Sequence, residues 1–296
     1  MRVLVLGSGG VTGAAWQLGV IEGLRASGAG WSFDGAAPGL VVGTSAGAWL
    51  GALLLDGQSP AAIADAFAGL PAAPALRPAA LARLLAAQAA PDRTRAVARL
   101  GEWSRRRGTA AATAWQTTLA APLLGRDWPA ALLVVTCDAR TGAPVLLRAT
   151  SGLPLHLAVA ASCALPGVLP PVRVGERLLF DGGLRSPANL DLAGGGDSFQ
   201  LAGGPDSLVL ALAPLTGSLR PSRRPRVQAR RLTAPSRATA AHPAPRVVLI
   251  EPDLAARRAI GVDVMSAARW RTAFAAGVRQ GARAAANLAA EDHPGS

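Results

Sequence analysis

The chain has 296 residues, half of them hydrophobic, and a formal charge of +12. That length suits one large α/β domain or two small ones, and the apolar half is enough for a sizeable core. Every one of the 30 basic residues is Arg, with no Lys and no Tyr, a bias that reads mainly as GC-rich coding. Cys137 and Cys163 are too few for a disulfide scaffold and lack metal-ligand spacing, and the three histidines are scattered. No metal or cofactor is expected, and a reduced compartment is the simplest setting.

Residues 3–6, opening MRVLVLG, read as a short buried strand with no signal-peptide cleavage pattern. The glycine-rich GSGGVTG follows, then a predicted helix over residues 14–27. Residues 40–42 read as a second apolar strand and 46–55 as a second apolar helix. This βαβα opening predicts an α/β fold, a mainly parallel central sheet flanked by helices. Residues 60–124 are Ala- and Arg-rich with proline breaks, as a helical insertion or cap would be. Strands resume at 132–136, 144–147, 177–180, 208–212 and 247–250. Between the last two, residues 214–245 are rich in Pro, Ser and Arg and read as a long loop or linker. A last helix is predicted over residues 263–290, with Trp270, Phe274 and Val278 as its apolar stripe. The uncharged stretches 35–55 and 149–172 are interrupted by prolines and glycines, so they read as core rather than membrane spans. The expected location is cytoplasmic, at most peripheral to a membrane.

In VVGTSAGAW, Ser45 lies between a strand and a helix, the arrangement that pushes a nucleophilic Oγ out of a strained turn. Gly43 and Gly47 let strand and helix meet closely, and the helix N-terminus favours developing negative charge. The loop Gly7, Ser8, Gly9, Gly10, Val11, Thr12, Gly13 exposes backbone N–H groups at a second helix start, which binds anions. A dinucleotide-binding Gly-x-Gly-x-x-Gly read from Gly7 fails at Thr12, and a P-loop needs a Lys the chain lacks. An oxyanion hole beside a serine elbow fits better. In RLLFDGG, Asp181 ends a predicted strand, where open sheets assemble their sites, and Gly182 and Gly183 allow a tight turn.

These pieces together resemble the patatin-like phospholipases. The resemblance runs through VLGSGGVTGAAWQLGVIEGL, GTSAG, ASCALPGVLPPV and FDGGLRSPANLDLA, most of the chain outside the middle helices and the Arg/Pro-rich segment. It implies a three-layer α/β/α fold in a single domain over residues 1–296 and an acyl-ester hydrolase acting on lipids. It also implies a Ser–Asp dyad, with Ser45 as nucleophile, Asp181 as base and Gly9 and Gly10 as oxyanion donors. The family loop usually reads Gly-Gly-Gly-x-Arg/Lys-Gly. Ser8 here replaces the first Gly and Thr12 the basic residue, which bears on charged phospholipid against neutral ester.

Two other readings compete. The order Ser45, Asp181, His242 matches an α/β-hydrolase triad, although His242 lies in the proline-rich segment and His293 in the tail. His156 reads as a packed helix residue. A non-catalytic nucleotide-binding protein would use an acid about 20 residues after the glycines, and Asp34 is roughly placed. The eight arginines of residues 207–250, with no acid among them, suggest peripheral contact with anionic lipid. Nucleic acid is not expected, because aromatic residues do not interleave these arginines.

Overall fold

The structure is a computed structural model that describes residues 1–28, 38–68, 74, 76–106, 109–194, 207–234 and 244–292. It opens with β1 (Arg2–Leu6), α1 (Gly10–Ala26), β2 (Leu40–Thr44) and α2 (Ala46–Leu55). Four helices follow: α3 (Pro60–Ala68), α4 (Pro78–Ala89), α5 (Arg93–Arg105) and α6 (Ala110–Ala120). The sheet resumes with β3 (Leu132–Asp138), β4 (Pro144–Leu147), α7 (Leu155–Ser162), β5 (Val172–Val174) and β6 (Arg177–Asp181). The chain continues with β7 (Leu208–Leu212), α8 (Pro225–Leu232), β8 (Arg246–Ile250), α9 (Leu254–Ile260) and α10 (Trp270–Asp292).

Hydrogen bonds link the strands along the path β5-β6-β3-β2-β1-β7-β8, with β4 also on β3. The run β3-β2-β1-β7-β8 is parallel, while the β3–β4, β3–β6 and β6–β5 pairings are antiparallel. Parallel strands are buried on both faces, which is why they read as continuous apolar runs. Successive side chains point to opposite faces. Leu4, Leu6, Val41, Val134 and Leu212 therefore join the core beneath α1, α2, α7 and α10. Val3, Val5, Val42, Val135 and Val209 pack on the other side, against α8 and residues 188–193. The result is the expected three-layer α/β/α arrangement.

The register of β3 positions the site. Val134 and Val135 pair with both β2 and β4, and Thr136 and Cys137 with both β4 and β6. A strand has two edges, so β2 and β6 share the edge opposite β4. They run toward each other along it: β2 ends with Thr44 beside Val135, and β6 with Asp181 beside Thr136. Residues 45 and 181 are thereby delivered to one point.

Three elements differ from the sequence reading. The first helix begins at Gly10 rather than at residue 14, because the Gly13 N–H already donates to the Gly9 carbonyl, and Gly10, at φ +59°, tucks under the Val264 carbonyl. The last helix begins at Trp270 rather than near residue 263, and of the Trp270–Phe274–Val278 stripe only Trp270 is fully buried. Phe274 and Val278 are only half-buried, while Ala273, Ala276, Gly277, Gly281 and Ala285 are covered. A Cβ added at Gly19 would lie 2.2 Å from the Phe274 carbonyl oxygen, and one at Gly277 2.3 Å from that of Trp16. Helices α1 and α10 thus meet backbone to backbone. Finally, residues 214–245 are not a loop throughout, since α8 lies within them. Its short, Arg-laden sequence hides the anchor, the buried Gln228, whose amide accepts from Ser186 Oγ and the Leu190 N–H and donates to Asp191. Arg220 donates to the Gln88 and Ala90 carbonyls at the end of α4, satisfying acceptors that a helix C-terminus leaves open.

Candidate active site

Ser45 occupies the turn between β2 and α2 at φ 55°, ψ −123°, a region that costs a non-glycine residue about 1–3 kcal/mol. The turn is tight because α2 starts immediately. A Cβ at Gly47 would lie 2.1 Å from the Leu6 carbonyl oxygen, and one at Gly43 2.5 Å from Ala48 Cα, so only glycine allows this approach. The Ser45 N–H donates to Ser162 Oγ at 2.8 Å, and the Ser162 hydroxyl donates onward to the Val135 carbonyl at 2.7 Å. That bridge ties the strained turn to α7 and β3.

The Ser45 hydroxyl donates to Asp181 Oδ2 at 2.7 Å. Asp181 is buried, and its Oδ1 accepts from the Gly183 N–H at 2.7 Å. Burial pushes its carboxyl up from 3.8 to about 6, against the hydrogen bonds from Ser45 and Gly183 that favour the ionised form. Gly182 opens the short helical turn after β6. Asn189 braces both flanks: its Nδ2 donates to Thr44 Oγ1 at 3.1 Å and to the Gly182 carbonyl at 3.2 Å. Cys163 lines the same cavity, and burial together with the Asp181 charge pushes its thiol well up. It stays a neutral thiol, a poor nucleophile.

The glycine loop closes the other side. Gly7 donates to the Leu212 carbonyl and Ser8 to that of Pro187, while Thr12 and Gly13 donate to Val264 and Gly9. The N–H groups of Gly9 and Gly10 have no backbone acceptor among the described residues, and both residues line the cavity beside Ser45. Ser8 Oγ also faces this cavity, buried and without a hydrogen-bond partner among the described residues. The N-termini of α1 and α2 both open here, so two positive helix ends converge.

The cavity measures about 230 Å³, and its walls include Trp49, Phe67, Trp115, Leu119, Leu165 and Met265. Phe67 from α3 stacks on Trp270 and makes an edge-to-face contact with Trp49, which fastens α3 beside the site. Asp181 is the one charged side chain among the described lining residues. No described trio of His, Cys, Asp or Glu groups itself to hold a metal ion. His156 is half-buried in α7 and does not line the cavity. His242, His293 and Asp34 lie outside the described residues. Ser8, Ser162, Cys163 and Asn189 escaped the sequence reading as site residues. They sit inside the motif segments, yet what each touches is set by contacts across the fold.

A strained serine turn, a buried carboxylate and a glycine loop on a doubly covered α/β sheet define a hydrolase-like site. A family model described as patatin-like phospholipase matches residues 4–193, well over half the chain, and the chain belongs to that family of lipid acyl hydrolases. No curated protein matches it. The strands β7 and β8 lie beyond the matched residues, yet they extend the same sheet from β1. Among the described residues, no helix is long and apolar enough to cross a membrane.

Proposed function

We propose that the chain is a serine acyl-ester hydrolase working through a Ser45–Asp181 dyad. One observation carries this: a 2.7 Å hydrogen bond from Ser45 Oγ to a buried carboxylate whose pKa lies near 6. A carboxylate at the usual value near 3.9 is a weak base for an alcohol, and raising it brings its strength closer to the task. Ser45 Oγ attacks the ester carbonyl while Asp181 takes its proton. The carbonyl oxygen, now negative, faces the unpaired N–H groups of Gly9 and Gly10, which stabilise charge only as it develops. Collapse breaks the acyl–oxygen bond, and Asp181 returns the proton to the departing alcohol. Water then repeats the sequence on the acyl-serine, with Asp181 as base, releasing the acid and restoring Ser45. The substrate is a lipid or other acyl ester whose chain lies against the aromatic and leucine walls. No cofactor enters the scheme.

A Ser–His–Asp triad needs an imidazole beside Ser45, and that position is taken by Asp181 directly. A nucleotide-binding reading leaves the Ser45–Asp181 contact without a purpose. Ser45→Ala is expected to lower p-nitrophenyl butyrate turnover by about 10³-fold or more and to abolish labelling by a fluorophosphonate. Circular dichroism would verify that the variant is folded. Undiminished turnover in a folded Ser45→Ala protein would overturn the assignment.

A further inference from the structure

Beside the acyl cavity lies a second, polar basin. Leu85, Gln88 and Gly217 belong to the walls of both, so the two adjoin. Four arginines line the basin: Arg224, Arg226, Arg230 and Arg257, from α8, the residue before it, and α9. Among the described lining residues a single carboxylate, Glu251, stands beside them and is taken by Arg226. Arg224 and Arg257 donate to the carbonyls of Ser218 and Pro252, neutral acceptors that leave their charges uncompensated. Among the described residues the basin therefore holds a surplus of three positive charges.

The acyl cavity offers an anion the opposite environment. Its one charged group among the described lining residues is Asp181, negative whenever it can act as a base. Thr12, where the resemblance expects a base in the glycine loop, is buried and directed at the Val264 carbonyl. An anionic group on a substrate is thus disfavoured next to the scissile bond and favoured a few residues outward. At the shared rim, Leu85 and Leu81 of α4 are more than two-fifths exposed, an apolar step between chain and head.

We propose that this arginine basin binds the anionic head, a phosphate ester, of an amphiphile whose acyl chain fills the adjoining cavity. The proposal rests on the acyl-hydrolase reading for its chemistry and adds a separate subsite to it. Guanidinium groups match phosphate oxygens with paired, charge-assisted hydrogen bonds. Arg224, Arg230 and Arg257, which no described carboxylate pairs, supply several such pairs without a metal.

Binding can be read without turnover, by calorimetry on the full chain below the micellar concentration of each probe. Octyl phosphate carries both chain and anion, octyl glucoside only the chain, and inorganic phosphate only the anion. Wild type should bind octyl phosphate at least about tenfold more tightly than octyl glucoside at low salt, and Arg224→Gln/Arg230→Gln should erase most of that margin. For wild type itself, the octyl phosphate affinity should fall as salt shortens the Debye length from about 10 Å to about 3 Å, and the octyl glucoside affinity should not. That second measurement holds even if the double variant misfolds. Equal binding of the two amphiphiles by wild type overturns the proposal. So does an inorganic phosphate affinity equal to that of octyl phosphate, which would mark a free-anion site. If octyl phosphate binds as expected but wild type hydrolyses no ester, the hydrolase reading fails and the subsite stands.

Discussion

Asp181 carries its functional charge at a cost to the fold. Its unfolded value is 3.8 and its folded value about 6, so between these pH values the folded chain holds the proton more tightly. Stability contributed by the neutral acid is complete below about pH 4 and is lost as pH rises through 6, by about 3 kcal/mol at most. Activity runs the other way, because the base must be ionised. The pH profile of kcat/KM should show an acid limb near pH 6. Asp181→Asn should lower turnover by about 10²-fold or more, and yet melt higher than wild type at pH 7.5 and alike at pH 4. His156→Ala should leave turnover unchanged. Ser8→Ala tests the orphaned hydroxyl at the cavity wall: if it helps hold the developing oxyanion, kcat falls while KM stays. Ser45 and Asp181 were legible because a turn of small residues and a strand-ending Asp-Gly-Gly advertise themselves locally. Ser162 and Asn189 were not, since a serine in a helix and an asparagine in a turn acquire meaning only from Val135 and Thr44, which lie 27 and 145 residues away.

Elements were legible where their physics is local. Apolar runs marked the parallel strands, and helical spacing marked residues 60–124 as a helical insertion without dividing it into its separate helices. Helix α8 stayed hidden because its anchor is a buried amide, invisible to any hydrophobic period. Gln228→Ala leaves Ser186 Oγ, the Leu190 N–H and one oxygen of Asp191 each short of a partner. A loss of about 1–3 kcal/mol in urea unfolding is expected. The face of α10 was legible only in part, at Trp270, for a related reason. Periodicity rewards large side chains, whereas this contact is made by removing them. Gly277→Val should force the two backbones apart, destabilise the protein by about 3 kcal/mol or more, and disturb the glycine loop at the head of α1. A melting temperature equal to wild type would refute that packing account.

At the scale of the whole molecule, the sequence announced the sheet and the site but not how the chain closes on itself. Nothing local says that β6 runs against β2 along one edge of β3. That register is set by the tertiary course of the chain through α7. The surplus charge has a similar global character. Several arginines are spent on structure, Arg220 at the end of α4 and Arg226 on Glu251, so the basic composition overstates what remains for a partner. Leu81, Leu85 and Leu219 are exposed around the cavity mouth and the arginine basin. Co-sedimentation with anionic vesicles is expected at low salt and not at 1 M salt, and Leu81→Glu should weaken it. Binding of both proteins to zwitterionic vesicles with equal strength would remove charge from the account.

The chain contains seven tryptophans and no tyrosine, so its ultraviolet emission comes from indole alone. Two of those rings, Trp49 and Trp115, form part of the acyl cavity wall. Trp49 is held still by its Nε1 donating to the Leu119 carbonyl at 2.7 Å and by its edge-to-face contact with Phe67. Filling the cavity replaces whatever surrounds these rings with hydrocarbon, and the protein carries its own optical gauge of occupancy. Emission should shift and sharpen as a non-hydrolysable acyl ligand is titrated in, and a Trp115→Phe chain would assign the signal to one wall.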